Sequence, residues 1–233
     1  HKVRSLSKVP FQSQIMCLYF TGMKVDKIIA LIKERVSSNS ELPGWTSHKK
    51  MAVIPINSIT EKAFIPPQDA KPASVSIILF QENNQLFFLL TKRTDNVEHH
   101  KGQVSLPGGA IDENETAKNA SLRETNEEIG IDSSTLESLG QLSSLYTPVS
   151  YFNIHVFLWY SKIPPQIKIN DNEVDQVYKI SLYELIDHNV VSNTTINKSG
   201  FKINVPAYHF EKCICWGATA MIITELKDII NKS

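Results

Sequence analysis

Residues 107–130 read PGGAIDENETAKNASLRETNEEIG, and this stretch decides how the whole chain is understood. It opens on a Pro-Gly-Gly turn, passes the capping residues Asp112, Glu113 and Asn114, and closes on Gly130. A glycine there suits the left-handed residue that ends a helix, so a helix is expected over about residues 115–129. Leu122, Thr125 and Ile129 recur at i, i+3 and i+7 and can face a core. Glu124, Glu127 and Glu128 project from another side, with Glu124 and Glu128 one turn apart. Like charges at that spacing weaken a helix by roughly 0.2–0.5 kcal/mol per pair. Carboxylates converging from one stripe also make a site for a hard divalent cation, which would offset the repulsion. The plain alternative is a solvated acidic face. Arg123, four residues before Glu127, can pair with it or orient a neighbouring carboxylate.

Working outward, SVSIILF (74–80) and QLFFLLTKR (85–93) are β-branched and aromatic runs around Asn83-Asn84, which predicts a strand pair. A polar loop (94–106) separates them from the turn. IHVFLWY (154–160) and DQVYKISL (175–182) read as further strands, YELID (183–187) as a short helix, and 218–230 as a terminal helix. Upstream, VDKIIALIKERV (25–36) places Val25, Ile28, Ile29, Ile32 and Val36 at helical spacing. Residues 37–72, rich in Ser, Asn and Pro, read as an extended connection. Strands interleaved with helices give an α/β fold with a mixed sheet. The expected organisation is an N-terminal extension with an amphipathic helix (1–70) followed by a catalytic domain (71–233). Met23 offers a native start, so residues 1–22 are read as foreign to the native chain and left out of the functional argument.

The chain has 233 residues, 42% hydrophobic and 21% charged, enough to bury a sizeable core. Lys+Arg and Asp+Glu both number 24, so net charge supplies no bulk drive toward nucleic acid or an anionic membrane, and neither is expected as a partner. No apolar run approaches the roughly 18 residues that span a bilayer. Cys17, Cys213 and Cys215 are too few and unevenly placed for a disulfide framework or a zinc site. They suit a reducing, intracellular, cytoplasmic setting. The terminal NKS is not a Ser-Lys-Leu type of peroxisomal address. GATAM (217–221) lacks the Gly-x-Ser-x-Gly elbow of an esterase.

From Gly109 the chain reads Gly, five residues, Glu115, seven residues, Arg123-Glu124, two residues, Glu127-Glu128, one residue, Gly130, then Ile131. A chance match in a chain of this length has a probability on the order of 10⁻⁶ at average residue frequencies. The spacing resembles the signature of the Nudix hydrolases. Thr125 departs from it, standing where the pattern usually has a bulky aliphatic; burial with the hydroxyl bonded back to the helix would accommodate it. The resemblance implies an α/β/α sandwich with a mixed β-sheet and a loop-helix-loop motif, hydrolysing a nucleoside diphosphate linked to another group. It also implies that the carbonyl of Gly109 and the carboxylates of Glu124, Glu127 and Glu128 hold Mg²⁺ or Mn²⁺. Arg123 would orient a glutamate and Glu115 would pair near the helix start.

The preceding stretch LLTKRTDNVEHHKGQVSLPGG (89–109) resembles the segment found before this box in coenzyme A pyrophosphatases of the same superfamily. Leu89, Leu90, Thr91, Arg93, His100, Gly102, Gln103, Val104, Pro107, Gly108 and Gly109 match, while Thr94, Val97 and Leu106 depart mildly. NEVDQVYKISLYELI (172–186) and CICWGATAMII (213–223) resemble later segments of that group. The implied substrate is coenzyme A or acyl-coenzyme A, whose phosphates need cationic and hydrogen-bonding partners. Arg93, His100, Gln103 and Lys92 are the candidates. A homodimer is compatible with this reading, and a peroxisomal location would rest on family analogy alone. Glu173, at the end of a polar loop, is either an extra ligand or base or a solvated carboxylate, and Trp216 is expected to pack the terminal helix. Two rivals stay open: a Nudix hydrolase of ADP-ribose, NADH or a diadenosine polyphosphate, and a catalytically silent Nudix module that only binds.

Overall fold

A computed structural model describes residues 24–37, 41–53, 61–94, 102–198 and 200–231. His99, His100 and Lys101 lie outside the described residues.

The fold is organised on β1 (Lys71–Glu82), which is buried over most of its length. It turns back into β2 (Gln85–Arg93) through Asn83 and Asn84, with φ of 49° and 60°. Two successive left-handed residues make the hairpin turn whose twist matches the flanking strands, and asparagine tolerates that conformation. The two strands pair only from Leu79↔Phe88 to Glu82↔Gln85 and then part. Two short strands fill the opening: β3 (Val104–Ser105) pairs with β2, and β4 (Gly108–Ala110) pairs with β1 at 73–75. Between them the corner is held by buried Leu106 and by Ser76 N–H, which donates to Pro107 O at 2.9 Å. The sequence reading left 94–106 as loop, because two-residue strands carry no periodicity.

On the other side of β1, β7 (Phe152–Ser161) runs parallel over ten residue pairs, and β5 (Glu137–Gln141) and β6 (Leu145–Thr147) pair antiparallel with β7. β8 (Val174–Ser181) pairs with the far edge of β2. The result is one mixed eight-stranded sheet.

Alternation along the strands sends side chains to two layers. Ile77, Leu79, Phe88, Leu90, Val156, Leu158 and Ile180 share a core with α1 (Val25–Ser37) and the terminal helix α5 (Gly217–Asn231). All five apolar positions expected on the amphipathic helix are buried there. Arg35 Nη1 donates to the carbonyls of Ile229 and Ile230 at 2.8 and 2.9 Å, closing the end of α5. On the opposite face Ile78, Phe80, Leu89, Phe157 and Trp159 pack with Ile129 and Ile131 beneath α3 (Ala117–Ile129). Helix, sheet and helix thus form the expected sandwich.

Two regions differ from the sequence reading. Residues 37–72 include a one-turn helix, α2 (Trp45–His48), continued by a 3₁₀ turn (Lys49–Met51). A buried Glu225 anchors that segment: it pairs with His48 Nε2 at 3.0 Å and accepts from Gly44 N at 3.0 Å and Ser143 N at 3.4 Å. After the short helix α4 (Leu182–Ile186), a separate three-stranded sheet forms from β9 (Val191–Lys198), β10 (Phe201–His209) and β11 (Ile214–Trp216). Its strands carry too many polar residues to show a clear alternation.

Candidate active site

Helix α3 starts two residues later than expected. Asp112–Asn114 form a turn instead, with Glu115 N bonded to Asp112 O at 3.2 Å, and the Thr116 side chain caps the helix by accepting from Asn119 N at 3.2 Å. Gly130 ends it with φ 69°, its N–H donating to Asn126 O at 2.8 Å. The helix sits on β1 through hydroxyls. Ser74 Oγ donates to Ala117 O (2.6 Å) and Ser76 Oγ to Ser121 O (2.9 Å). Thr125 Oγ1 lies 2.7 Å from Ser121 O and 2.9 Å from Ser76 Oγ, fully buried. The small strand residue Ser76 leaves room for a hydroxyl where an aliphatic is usual. That is the physical reason Thr125 fits. Leu122, expected in the core, is only partly buried.

Arg123 organises one side of the site. Its Nε and Nη2 each reach Glu115 at 3.1 Å, Nη2 also donates to Ala110 O at 3.0 Å, and Nη1 donates to Glu124 Oε1 at 2.8 Å and Glu127 Oε2 at 2.9 Å. These bonds, first those to Glu115, raise the pKa of Arg123 and keep it charged, and Arg123 in turn holds Glu115 below the usual carboxylate range. Glu127 is 52% exposed on the rim.

Glu124 lies flat against the backbone of Gly109. A Cβ at that position would stand 2.5 Å from Glu124 Oε2, so only glycine admits the carboxylate. Burial raises the Glu124 pKa, partly opposed by Arg123. Glu128 goes deeper, 1% exposed. Its Oε1 is 3.4 Å from Arg93 Nη1, and its Oε2 accepts from Gly108 N at 3.3 Å. Burial pushes its carboxyl up to about 8; Arg93 and the Gly108 N–H pull down, while Glu124 and Glu173 push further up.

Glu173 joins this group through a loop sewn to the end of α3: Lys168 N donates to Ile129 O and Asn170 N to Glu128 O, both at 2.9 Å. Asn170 Nδ2 then donates to Glu173 Oε1 at 3.3 Å. Asn170 escaped the sequence reading, and no motif marks it. Lys92 is paired with an exposed carboxylate, its Nζ 2.5 Å from Asp175 Oδ2. Gln103 lies beside Arg93, its backbone carbonyl accepting from Arg93 N at 3.0 Å. Trp216 is half-buried on β11, opposite Ala207.

Among the described residues no three His, Cys, Asp or Glu side chains stand where they could share one ion as drawn. Each carboxylate is turned to an arginine instead: Glu124 and Glu127 to Arg123, Glu128 to Arg93. The donor chemistry nevertheless fits Mg²⁺ or Mn²⁺. Half-buried Glu124 pushes up the carboxyl of buried Glu128, Glu173 pushes up both, and a hard divalent cation suits such an all-oxygen set.

Residues 70–196 match the family model of the NUDIX domain. The chain is 30% identical over 180 residues to the uncharacterized Nudix hydrolase NudL of Yersinia pestis (strain Pestoides F), covering 76% of this chain and 88% of that protein. The same figures hold for its counterpart in Yersinia pseudotuberculosis serotype O:1b. Among solved structures, the MutT protein of Methanosarcina mazei Go1 is 19% identical, with TM-score 0.47 over 70% of this chain and 96% of that one.

Proposed function

The chain belongs to the Nudix hydrolase family, and from that premise we propose that it hydrolyses the pyrophosphate of coenzyme A or acyl-coenzyme A, giving 3′,5′-ADP and 4′-phosphopantetheine or its acyl form. The observation that carries the hydrolytic reading is the complete set gathered on one side of α3. Glu124 lies on Gly109, buried Glu128 on Gly108, and Glu127 and Glu115 on Arg123. Glu124 and Glu128 would hold the Mg²⁺ or Mn²⁺, with Glu127 and the Gly109 carbonyl completing the ligands. Such an ion supplies charge neutralisation for the diphosphate and activates a water for attack. The chain's own residues supply position. Arg123 fixes the orientation of Glu124 and Glu127, Glu115 fixes Arg123, and the glycine corner lets a diphosphate approach the backbone closely.

The choice of coenzyme A rests on residues 89–109, and is an analogy at the level of sequence resemblance. Arg93, Gln103, Lys92 and His100 are proposed to meet its phosphates, the last from outside the described residues. The catalytic domain is taken as 71–233, working inside the cell, as a monomer or homodimer. Among the described residues no helix is long and apolar enough to cross a membrane. The test is a panel of coenzyme A, 3′-dephospho-coenzyme A, ADP-ribose, NADH and diadenosine tetraphosphate with each metal, run in ¹⁸O-water. Release of 3′,5′-ADP, with label in one of the two phosphate products, supports the reading. Turnover of ADP-ribose or NADH alone would move the substrate, and nucleotide binding without any turnover would leave only a binding module.

A further inference from the structure

The two arginines of the site are held in different ways. Arg123 makes five contacts of 2.8–3.1 Å to Glu115, Glu124, Glu127 and the carbonyl of Ala110. Such a bonded fork is built to stay. Arg93 meets Glu128 through a single contact of 3.4 Å, well beyond the 2.7–2.9 Å of a strong charged pair. Its side chain is still 26% exposed, although the carboxylate it meets is almost fully buried. Its backbone, by contrast, is firmly placed. Pairing between β2 and β8 slips between Lys92 and Arg93, an irregularity of the kind that re-aims a side chain beside a site. Arg93 N donates to Gln103 O, and the next residue, Thr94, donates from N to Glu173 O at 3.0 Å and from Oγ1 to Asn172 O at 3.1 Å. A clamped backbone with a loosely engaged head suits a side chain that changes partner.

We propose that Arg93 stands in for the cation at Glu128: in the metal-free protein its guanidinium is the positive group seated at the buried carboxyl, and ion binding releases it to a phosphate of the substrate. This rests on the assignment of the ion to Glu128 made above. A guanidinium and a divalent cation on one buried carboxylate repel each other strongly where water is scarce. Glu128 has one oxygen facing the Gly108 N–H and the other facing Arg93, so the Arg93 side is the one open to exchange. Once released, the planar fork is matched to a phosphate, and its anchored backbone keeps it beside the metal. The order of binding follows: metal first, then substrate.

The alternative is a permanent brace that holds Glu128 in its ligating position. The two differ in sign. Mn²⁺ binding without substrate, measured by calorimetry and by electron paramagnetic resonance, should be about tenfold tighter in Arg93→Ala, the factor that about 1.4 kcal/mol of lost competition corresponds to. Arg93→Met, which keeps the stem, should shift the same way. In EDTA both variants should melt below wild type, and saturating Mn²⁺ should close the gap. Unchanged or weaker Mn²⁺ binding in both variants, or a melting gap that persists at saturation, overturns the stand-in role. Glu128→Gln is run alongside to separate the two levels of the argument. If wild type binds Mn²⁺ at this carboxylate and Glu128→Gln loses it, a failure in the Arg93 variants counts against release alone. If wild type binds no Mn²⁺, both readings fall.

Discussion

Glu128→Gln tests the energetic reading of the site most directly, because it changes charge and little else. In the metal-free protein burial lifts the Glu128 carboxyl from 4.5 to about 8. At about 1.4 kcal/mol per pH unit, full ionisation of the folded protein then costs on the order of 3–5 kcal/mol. The sign follows from linkage. Between these two values the folded state keeps a proton that the unfolded state gives up, so the advantage is intact below about pH 4.5 and is lost as pH rises toward 8. The amide keeps an acceptor for the Gly108 N–H but presents an NH2 rather than an oxygen to Arg93, which offsets roughly 1–2 kcal/mol. Near pH 5 the variant should therefore be slightly less stable than wild type. Near pH 8 it should be more stable by about 1–3 kcal/mol, or several degrees of melting temperature at about 2–4 °C per kcal/mol for a chain of this size. Thermal unfolding of both proteins in EDTA across pH 5–8.5 reads this out, since groups common to both cancel in the difference. Parallel profiles would refute the claim that Glu128 is held against its charge.

Other outcomes follow from the same geometry. Glu124→Gln should lower turnover by at least roughly two orders of magnitude with an unchanged circular dichroism spectrum, as expected where a ligand to a catalytic ion is lost. Near wild-type activity would take it off the site. Gly109→Ala places a Cβ 2.5 Å from the Glu124 carboxylate. Calorimetry should show weaker Mn²⁺ binding, by about tenfold or more, if the carboxylate is displaced at a cost of at least about 1.4 kcal/mol. Arg93→Ala should raise KM for coenzyme A more than for 3′-dephospho-coenzyme A if the guanidinium meets the 3′-phosphate, and equally if it meets the pyrophosphate. Glu225→Ala strips a buried partner from His48, Gly44 and Ser143. It should cost about 2–4 kcal/mol of stability by thermal unfolding while leaving kcat/KM on the folded protein unchanged.

Local physics alone determined much of this protein from its sequence. The buried stripe of α1, the Asn83-Asn84 hairpin and the glycine that ends α3 depend on interactions between residues a few positions apart. Side-chain periodicity and turn chemistry report such interactions faithfully. The carboxylate cluster was legible for the same reason, since Glu124 and Glu128 share a helical face whatever the helix packs on. What only the tertiary structure decided involves partners tens of residues apart. Thr125 finds its place because β1 presents Ser76 beneath it. Arg93 is aimed at Glu128 by the slipped register against β8, and Glu173 reaches the site because its loop bonds to the last carbonyls of α3. The seat of Gly108 and Gly109 exists because β1 and β2 part after four residue pairs and β3 and β4 fill the gap. Register and strand divergence are set by the packing of the whole sheet, and a two-residue strand or a single serine leaves no periodic trace of them in the chain.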